Sequence, residues 1–406
     1  MKTKKLFDTN AYITKQNVKI LEVSESKREG FEGLYEVITD CTIFAPEGGG
    51  QPADKGCFNE IPVEDVREFD GELIHFVAQK PNPGEEVTQS IDFELRLRRM
   101  QNHNAEHLLC GLIHKTYGYN NVGFHITENT DENGNVLMET TMDVDGPLDA
   151  TQIAAIELEA NRAIAENVKV YALLPDKEEA ETIAYRSKSA IEGDLRLVVI
   201  EGYDICTCCA PCLKSSGEMQ LVKVLDFMPH RGGTRLQIVA GIDAVKDYTG
   251  LHNETKDIMK VLSSKRFECA AAVEKQDAKI LEMHETIIAL KKEITGLYRE
   301  NLIEKIKRTD RRYVVFFADS LDEVQARTLI NETVGMKECV IIVLFEKNVN
   351  GYRFVAGKND NLTDVSLKNL AVRLREKLAA RGGGSEQMIQ GSINETKEKI
   401  EAFFGR

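Results

Sequence analysis

Four cysteines crowd into seven residues, at Cys206, Cys208, Cys209 and Cys212, and this cluster constrains the fold more than any other feature of the chain. In an intracellular protein such density suits a metal site better than a disulfide framework. A metal wants further donors, and His103-Asn-Ala-Glu-His107 supplies two imidazoles four residues apart, on one face of a helical stretch. If both groups serve one ion, the fold must bring them together within a single domain. A zincin carries glutamate directly after its first histidine. Here Asn104 stands in that place and the glutamate is Glu106, which disfavours a protease of that type. The cysteines offer either Cys208 with Cys212, or Cys206 with Cys209 in CxxC spacing. Two histidines and two cysteines close a structural site, whereas a catalytic site keeps a position open, and spacing alone does not choose between them.

At ~100–200 residues per domain, 406 residues predict two to four domains. Residues 1–90 read as short strands, LYEVI, CTIFA, GELIHFVA and EVTQSIDFE, separated by PEGGGQPADKG and KPNPGEE. This pattern predicts a small N-terminal β-barrel domain. Residues 91–248 predict an α+β domain. Its first helix has apolar spacing at Leu97, Met100, Leu108, Leu109, Leu112 and Ile113. An Asn133-Gly134 turn signal precedes the strand VLMETTMDVDG, and a helix from Leu148 to about Asn167 opens on Asp149 or Thr151.

Residues 249–308 predict a helical, coiled-coil-like connector. Val273, Gln276, Ile280, Met283, Ile287, Leu290, Ile294 and Leu297 step by three and four, and seven of these eight positions are apolar. The seam suits either a helical hairpin packed on its own domain or a dimer interface. Residues 309–406 predict a small C-terminal α/β domain, with strands YVVFFA, CVIIVLF and RFVAG and a helix ending at Gly382. The fold class is therefore α+β.

No apolar run approaches the ~20 residues that span a bilayer, and no apolar stretch follows the N-terminal lysines as in a signal peptide. A soluble, cytoplasmic protein is expected. The net charge of −14 excludes general coating of nucleic acid, so a polyanion would need a local basic patch. The candidates are Lys305, Lys307, Arg308, Arg311 and Arg312, and later Arg373, Arg375, Lys377 and Arg381. The bland alternative for them is a solvated helix face. Gly382, Gly383 and Gly384 read as a helix cap and flexible turn.

Four segments, taken in order, resemble the free-standing alanyl-tRNA editing proteins, which are related to the editing half of alanyl-tRNA synthetase. They are CTIFAPEGGGQPADKG at 41–56, RMQNHNAEHLL at 99–109, GYDICTCCAPCLKSSGEMQLVKV at 202–224 and RGGGSEQMIQGS at 381–392. The last resembles the glycine-rich signature of a DHH-associated C-terminal domain. The resemblance implies a hydrolase that edits in trans without ATP, cleaving the ester of serine or glycine mischarged on tRNA(Ala). It implies one Zn2+ per chain held by His103, His107, Cys208 and Cys212. It gives Thr42 and Gln51 catalytic roles, with the Thr42 hydroxyl contacting the misacylated serine. It places tRNA on the basic run 305–312 and on Arg381 with Gly382–Gly384, and it makes a homodimer through the connector or C-terminal domain the expected assembly.

The chain departs from the family at three places. Cys212 stands where the family has histidine, which lowers the formal charge and Lewis acidity of the site. Ala45 replaces a usual tyrosine, and Ser385 and Glu386 occupy a stretch that often holds a basic residue. The rival readings are a non-catalytic tRNA- or partner-binding protein with structural zinc, and a phosphoesterase. The second is weakened because the chain has no Asp-His-His triplet.

Overall fold

A computed structural model describes every residue except 1–2, 131, 133–135, 188–194, 349–350 and 406. The Asn133-Gly134 turn signal lies outside the described residues. The chain divides into two compact units, Met1–Asp257 and Ile258–Arg406, and its folding is mixed α and β.

The first unit begins with six antiparallel strands. In pairing order they are Lys15–Glu25, Tyr35–Thr39, Glu72–Val77, Ile61–Phe69, Gly56–Phe58 and Glu86–Ile91, and the last pairs back with the first. Period-two patterning puts Val18 and Ile20 on the inner face of the first strand, and a register shift between Val63 and Asp65 turns both Val63 and Val66 inward on another, around Phe44 and Phe58.

Directly after this ring comes α1 (Phe93–Tyr117). The Asp92 carboxylate accepts from Leu95 N to start the helix, and Gly118 ends it in the left-handed region. Between Leu95 and Ile113 it is buried on nearly every face, with charged and polar side chains included. It therefore runs through the core rather than over it. An antiparallel sheet, in the order Val222–His230, Gly233–Ala240, Val136–Val144, Asn121–Thr130, packs against it together with α2 (Ala150–Glu166). Asp149 caps α2 in a capping box with Gln152, so of the two candidate caps the aspartate serves. After α2 come three further strands, Val170–Leu173, Leu197–Ile200 and Asp204–Thr207, with α3 (Lys177–Thr182) between the first two. Next, α4 (Gly241–Leu262) buries only Gly241 and Ala244.

In the second unit α5 (Cys269–Arg308) is one unbroken helix of 40 residues that buries only Leu302 and Ile306. Its apolar heptad positions are exposed, from 36 % at Ile294 to 59 % at Leu297. Within the second unit, no described residue covers the seam. A five-stranded sheet follows, ordered Tyr313–Ala318, Val340–Asn348, Gly351–Lys358, Met388–Ile393, Arg381–Gly384, with its first pair parallel and the others antiparallel. Both of its faces are covered. Ile341 and Val343 pack with α6 (Glu323–Thr333), while Ile342 and Leu344 pack with α7 (Leu367–Leu378) and α8 (Lys397–Phe404). Burial on two sides accounts for the continuous apolar run VIIVLF.

One boundary needs correcting. The helix expected to end at Gly382 stops at Leu378 with Ala379 left-handed, and Arg381–Gly384 form an edge strand. Gly382, at φ +138°, lies so close to the neighbouring strand that a Cβ there would stand 2.1 Å from the Gln390 carbonyl oxygen. The glycines therefore permit strand pairing and are not a flexible turn.

Candidate metal centre

Helix α1 is the platform, and two fully buried arginines on it hold the glycine loop in place. Arg96 Nε donates to Asp54 Oδ1 at 3.1 Å and Nη1 to Ala11 O at 3.0 Å, while Nη2 meets Ile43 O and Asp54 Oδ2. Asp54 in turn accepts from Ala45 N at 2.6 Å. One turn on, Arg99 donates to Ala53 O at 2.8 Å and makes a two-armed bond to Glu128 at 2.6 and 2.8 Å. Such forked pairing fixes orientation as well as position. The PEGGGQ loop is thereby held against the strand Asn121–Thr130. Gly50 O accepts from Ile126 N at 2.8 Å, and a Cβ at Gly50 would fall 2.1 Å from Phe124 O.

The cysteine loop arrives from the other side. Asn104 Oδ1 accepts from Leu213 N at 2.9 Å, and Arg196 Nη1 donates to Cys208 O and Ala210 O at 2.7 and 2.9 Å.

These anchors bring one donor atom each of His103, His107 and Cys208 within 4.8 Å of one another. His103 Nδ1 donates to Gln51 Oε1 at 2.9 Å, which leaves Nε2 with its lone pair 3.6 Å from Cys208 Sγ. The ring of Phe124 stacks against His103 with centroids 4.5 Å apart. His107 Nδ1 lies 3.1 Å from Cys206 Sγ and 3.1 Å from Glu106 Oε2, and its buried Nε2 has no hydrogen-bond partner. Each imidazole is thus held by one nitrogen and presents the other, as metal-ligating histidines do.

Without a metal, the electrostatics favour an imidazolium–thiolate pair, whose proton a bound cation would displace. Burial penalises a Cys208 thiolate, yet His103 and His107 outweigh it and hold the thiol well below its usual range. Burial likewise disfavours a charged His107, and Cys206, Glu106 and Cys208 reverse the balance and hold it well above the histidine range. By contrast burial pushes Cys206 up to about 11, and it raises Cys209 and Cys212 also. Among the four thiols, Cys208 is the one favoured as thiolate, the metal-binding form.

The residues expected at the site are divided by the structure. Gln51, His103, His107 and Cys208 come together. Cys212 does not: it is absent from the cluster of ligand atoms and packs in the core with Leu213 and Met219. Cys206 stands beside His107 instead. Thr42 lies inside the strand ring, where its hydroxyl bonds His75 Nε2 at 2.8 Å and Gln89 Oε1 at 3.2 Å and accepts from Phe44 N at 3.0 Å, none of them part of the cluster.

In the second unit Lys305, Lys307, Arg308, Arg311, Arg312 and Arg381 are all exposed. Arg308 pairs with Glu304 and Arg312 with Asp364, which neutralises two of the six. Lys305 and Arg311 line a cavity of about 220 Å³ with Tyr313 and Phe404. A cavity of about 660 Å³ in the first unit, lined by Arg98, Leu137, Leu225 and Asp243, contains no member of the cluster.

Sequence reasoning missed Phe124, Glu106, His75 and the two arginine clamps. Arg96 and Arg99 did leave a signal, as charges within a helix whose flanking apolar positions surround the whole axis.

The fold and centre describe a two-unit protein whose first unit holds a buried imidazole–thiol site with the donor types of a metal centre. Comparison with known proteins narrows that class. No family model matches the chain. The alanyl-tRNA editing protein Aarsd1-B of Xenopus laevis is 25 % identical over 380 residues, covering 92 % of this chain and 88 % of its own. The alanyl-tRNA editing protein AlaX-L of Pyrococcus horikoshii is 24 % identical over 406 residues, covering 98 % and 96 %. A solved C-Ala domain of Aquifex aeolicus alanyl-tRNA synthetase covers 24 % of this chain and 90 % of its own at 19 % identity, with a TM-score of 0.20. Over more than nine tenths of its length the chain is similar to alanyl-tRNA editing proteins, at 24–25 % identity.

Proposed function

We propose that this protein is an aminoacyl-tRNA deacylase that hydrolyses the ester of serine, and of glycine, mischarged on tRNA(Ala). The convergence of His103, His107 and Cys208 on one point, each histidine held by its second nitrogen, carries the reading, and full-length similarity to editing proteins supports it. The orphaned His107 Nε2 and the thiolate-favouring Cys208 fit a zinc ion, one per chain. We assign His103, His107 and Cys208 as its ligands and leave Cys212 out. Three protein ligands keep a position open for reaction, and zinc in such a site acts as a Lewis acid toward an ester or water.

Gln51 fixes the His103 ring and its tautomer, so its part is positioning. Thr42, with His75 and Gln89, holds the end of the strand from which the glycine loop departs. An aminoacyl ester is already activated, and a second hydrolytic site is needed because a synthetase pocket rejects a small added hydroxyl poorly.

We assign tRNA backbone contacts to Lys305, Lys307, Arg311 and Arg381, the cations of the basic set without a carboxylate partner named above. The segments 1–90, 91–248, 249–308 and 309–406 are proposed as barrel, editing, connector and tRNA-binding domains of a cytoplasmic homodimer that uses no ATP, paired through the exposed α5 seam. The test is metal analysis beside ester cleavage. Wild-type and C212A proteins should hold one zinc per chain and release serine from Ser-tRNA(Ala), and C208A should do neither. Zinc lost in C212A but kept in C208A overturns the ligand assignment.

A further inference from the structure

Helix α1 buries a carboxylate beside the centre. Glu106 is 0 % exposed, although it directly precedes a proposed ligand on the same helix. A carboxylate removed from water is costly unless donors or positive charge meet it. On one oxygen, Oε1, it accepts from Asn121 Nδ2 and from Cys110 Sγ, the latter at 3.2 Å. Its other oxygen stands 3.1 Å from His107 Nδ1, an ion-pair distance without the alignment of a hydrogen bond. Asn121 is itself fixed by accepting from Gly123 N at 2.9 Å, and it begins the strand whose Phe124 stacks on His103. A single strand therefore braces both histidines, one through an aromatic face and the other through Asn121 and Glu106.

Cys206 Sγ lies at the same nitrogen of His107, also at 3.1 Å. The strand Asp204–Thr207 presents this thiol to the Nδ1 edge of the ring, opposite the unbonded Nε2, and sets Cys206 and Asp204 with His107 as a second group of possible ligand atoms.

From this geometry we infer that Glu106 and Cys206 are positioning residues for His107, Cys206 bonding its Nδ1 edge and the Glu106 charge standing beside it, so that Nε2 is left for the metal centre. The inference rests on the zinc-centre reading above. Outer partners on the second ring nitrogen fix a ligating histidine and raise its strength as a ligand, and loss of one costs about 10–100-fold in metal affinity; a negative charge at ion-pair distance acts in the same direction. Glutamine at 106 preserves the shape and the acceptor for Asn121 and removes the charge.

The experiment measures zinc affinity by chelator competition on the full chain, with thermal unfolding of the metal-free proteins as a control for folding. E106Q is expected to bind zinc about 10–100-fold more weakly than wild type with its metal-free unfolding midpoint unchanged. C206S is expected to weaken zinc binding, while its cobalt(II) form keeps the full wild-type sulfur-to-cobalt absorption, because Cys208 remains the thiolate ligand. E106Q binding zinc as tightly as wild type, or losing affinity only in step with metal-free stability, overturns the role of Glu106. Absorption cut to about half in C206S makes Cys206 a ligand and overturns its role. A wild-type chain that takes up no zinc fails the metal-centre reading itself, a result read before any variant is compared.

Discussion

Inside the strand ring, His75 is fully buried between Phe44, Phe58 and the Thr42 hydroxyl, its Nδ1 donating to Val37 O at 3.1 Å. Burial depresses its pKa from 6.5 to about 4. As pH falls through 6.5 the unfolded chain takes up a proton that the folded one refuses, so stability is full above 6.5 and declines toward 4. The loss amounts to ~3 kcal/mol once both pKa values are passed. Urea unfolding between pH 7 and about 4 should show this slope, and His75→Gln should flatten it. Thr42→Val should cost about 1–3 kcal/mol by stranding Phe44 N and the His75 ring, with little change in serine-over-alanine selectivity. A large loss of selectivity without loss of stability would return Thr42 to substrate contact. Gln51→Ala removes the acceptor for His103 Nδ1 and should weaken zinc binding about 10–100-fold in a chelator titration.

At the scale of elements, helix α1 carries the site because its buried cations draw other segments onto it. Asp54→Ala leaves Arg96 buried without its carboxylate, a change of about 3–5 kcal/mol. Thermal unfolding should register it, and the freed glycine loop should lower zinc affinity as well. The imidazole pair was legible in the sequence because spacing of four on a helix fixes geometry locally. The choice among thiols was not. Four cysteines on a strand end and loop are placed by Asn104 and Arg196, one remote in sequence and both polar, and no periodicity reports such anchors. The same limit hid His75, since alternation says that a position faces inward and not what polar partner awaits it. In the second unit the apolar strands and the seam of α5 were legible from pattern. The glycine run was misread because its cause is the close approach of another strand.

For the whole molecule, α5 turns an apolar seam to solvent, with Ile287 at 48 % and Leu290 at 51 % exposed. A seam of that length left uncovered marks an interaction surface, and the proposed homodimer would close it. Ile287→Glu with Leu290→Glu should convert a dimer to a monomer in light scattering without altering zinc content. A wild-type monomer at working concentration would remove that assembly. The central claim is tested most directly by a deacylation time course on seryl-tRNA and alanyl-tRNA, both built on tRNA(Ala), with zinc-loaded and metal-stripped protein in the same run. The account predicts rapid loss of serine with alanine spared, and slow loss in the stripped sample that zinc restores. Zinc-loaded protein that cleaves neither ester faster than buffer would contradict it.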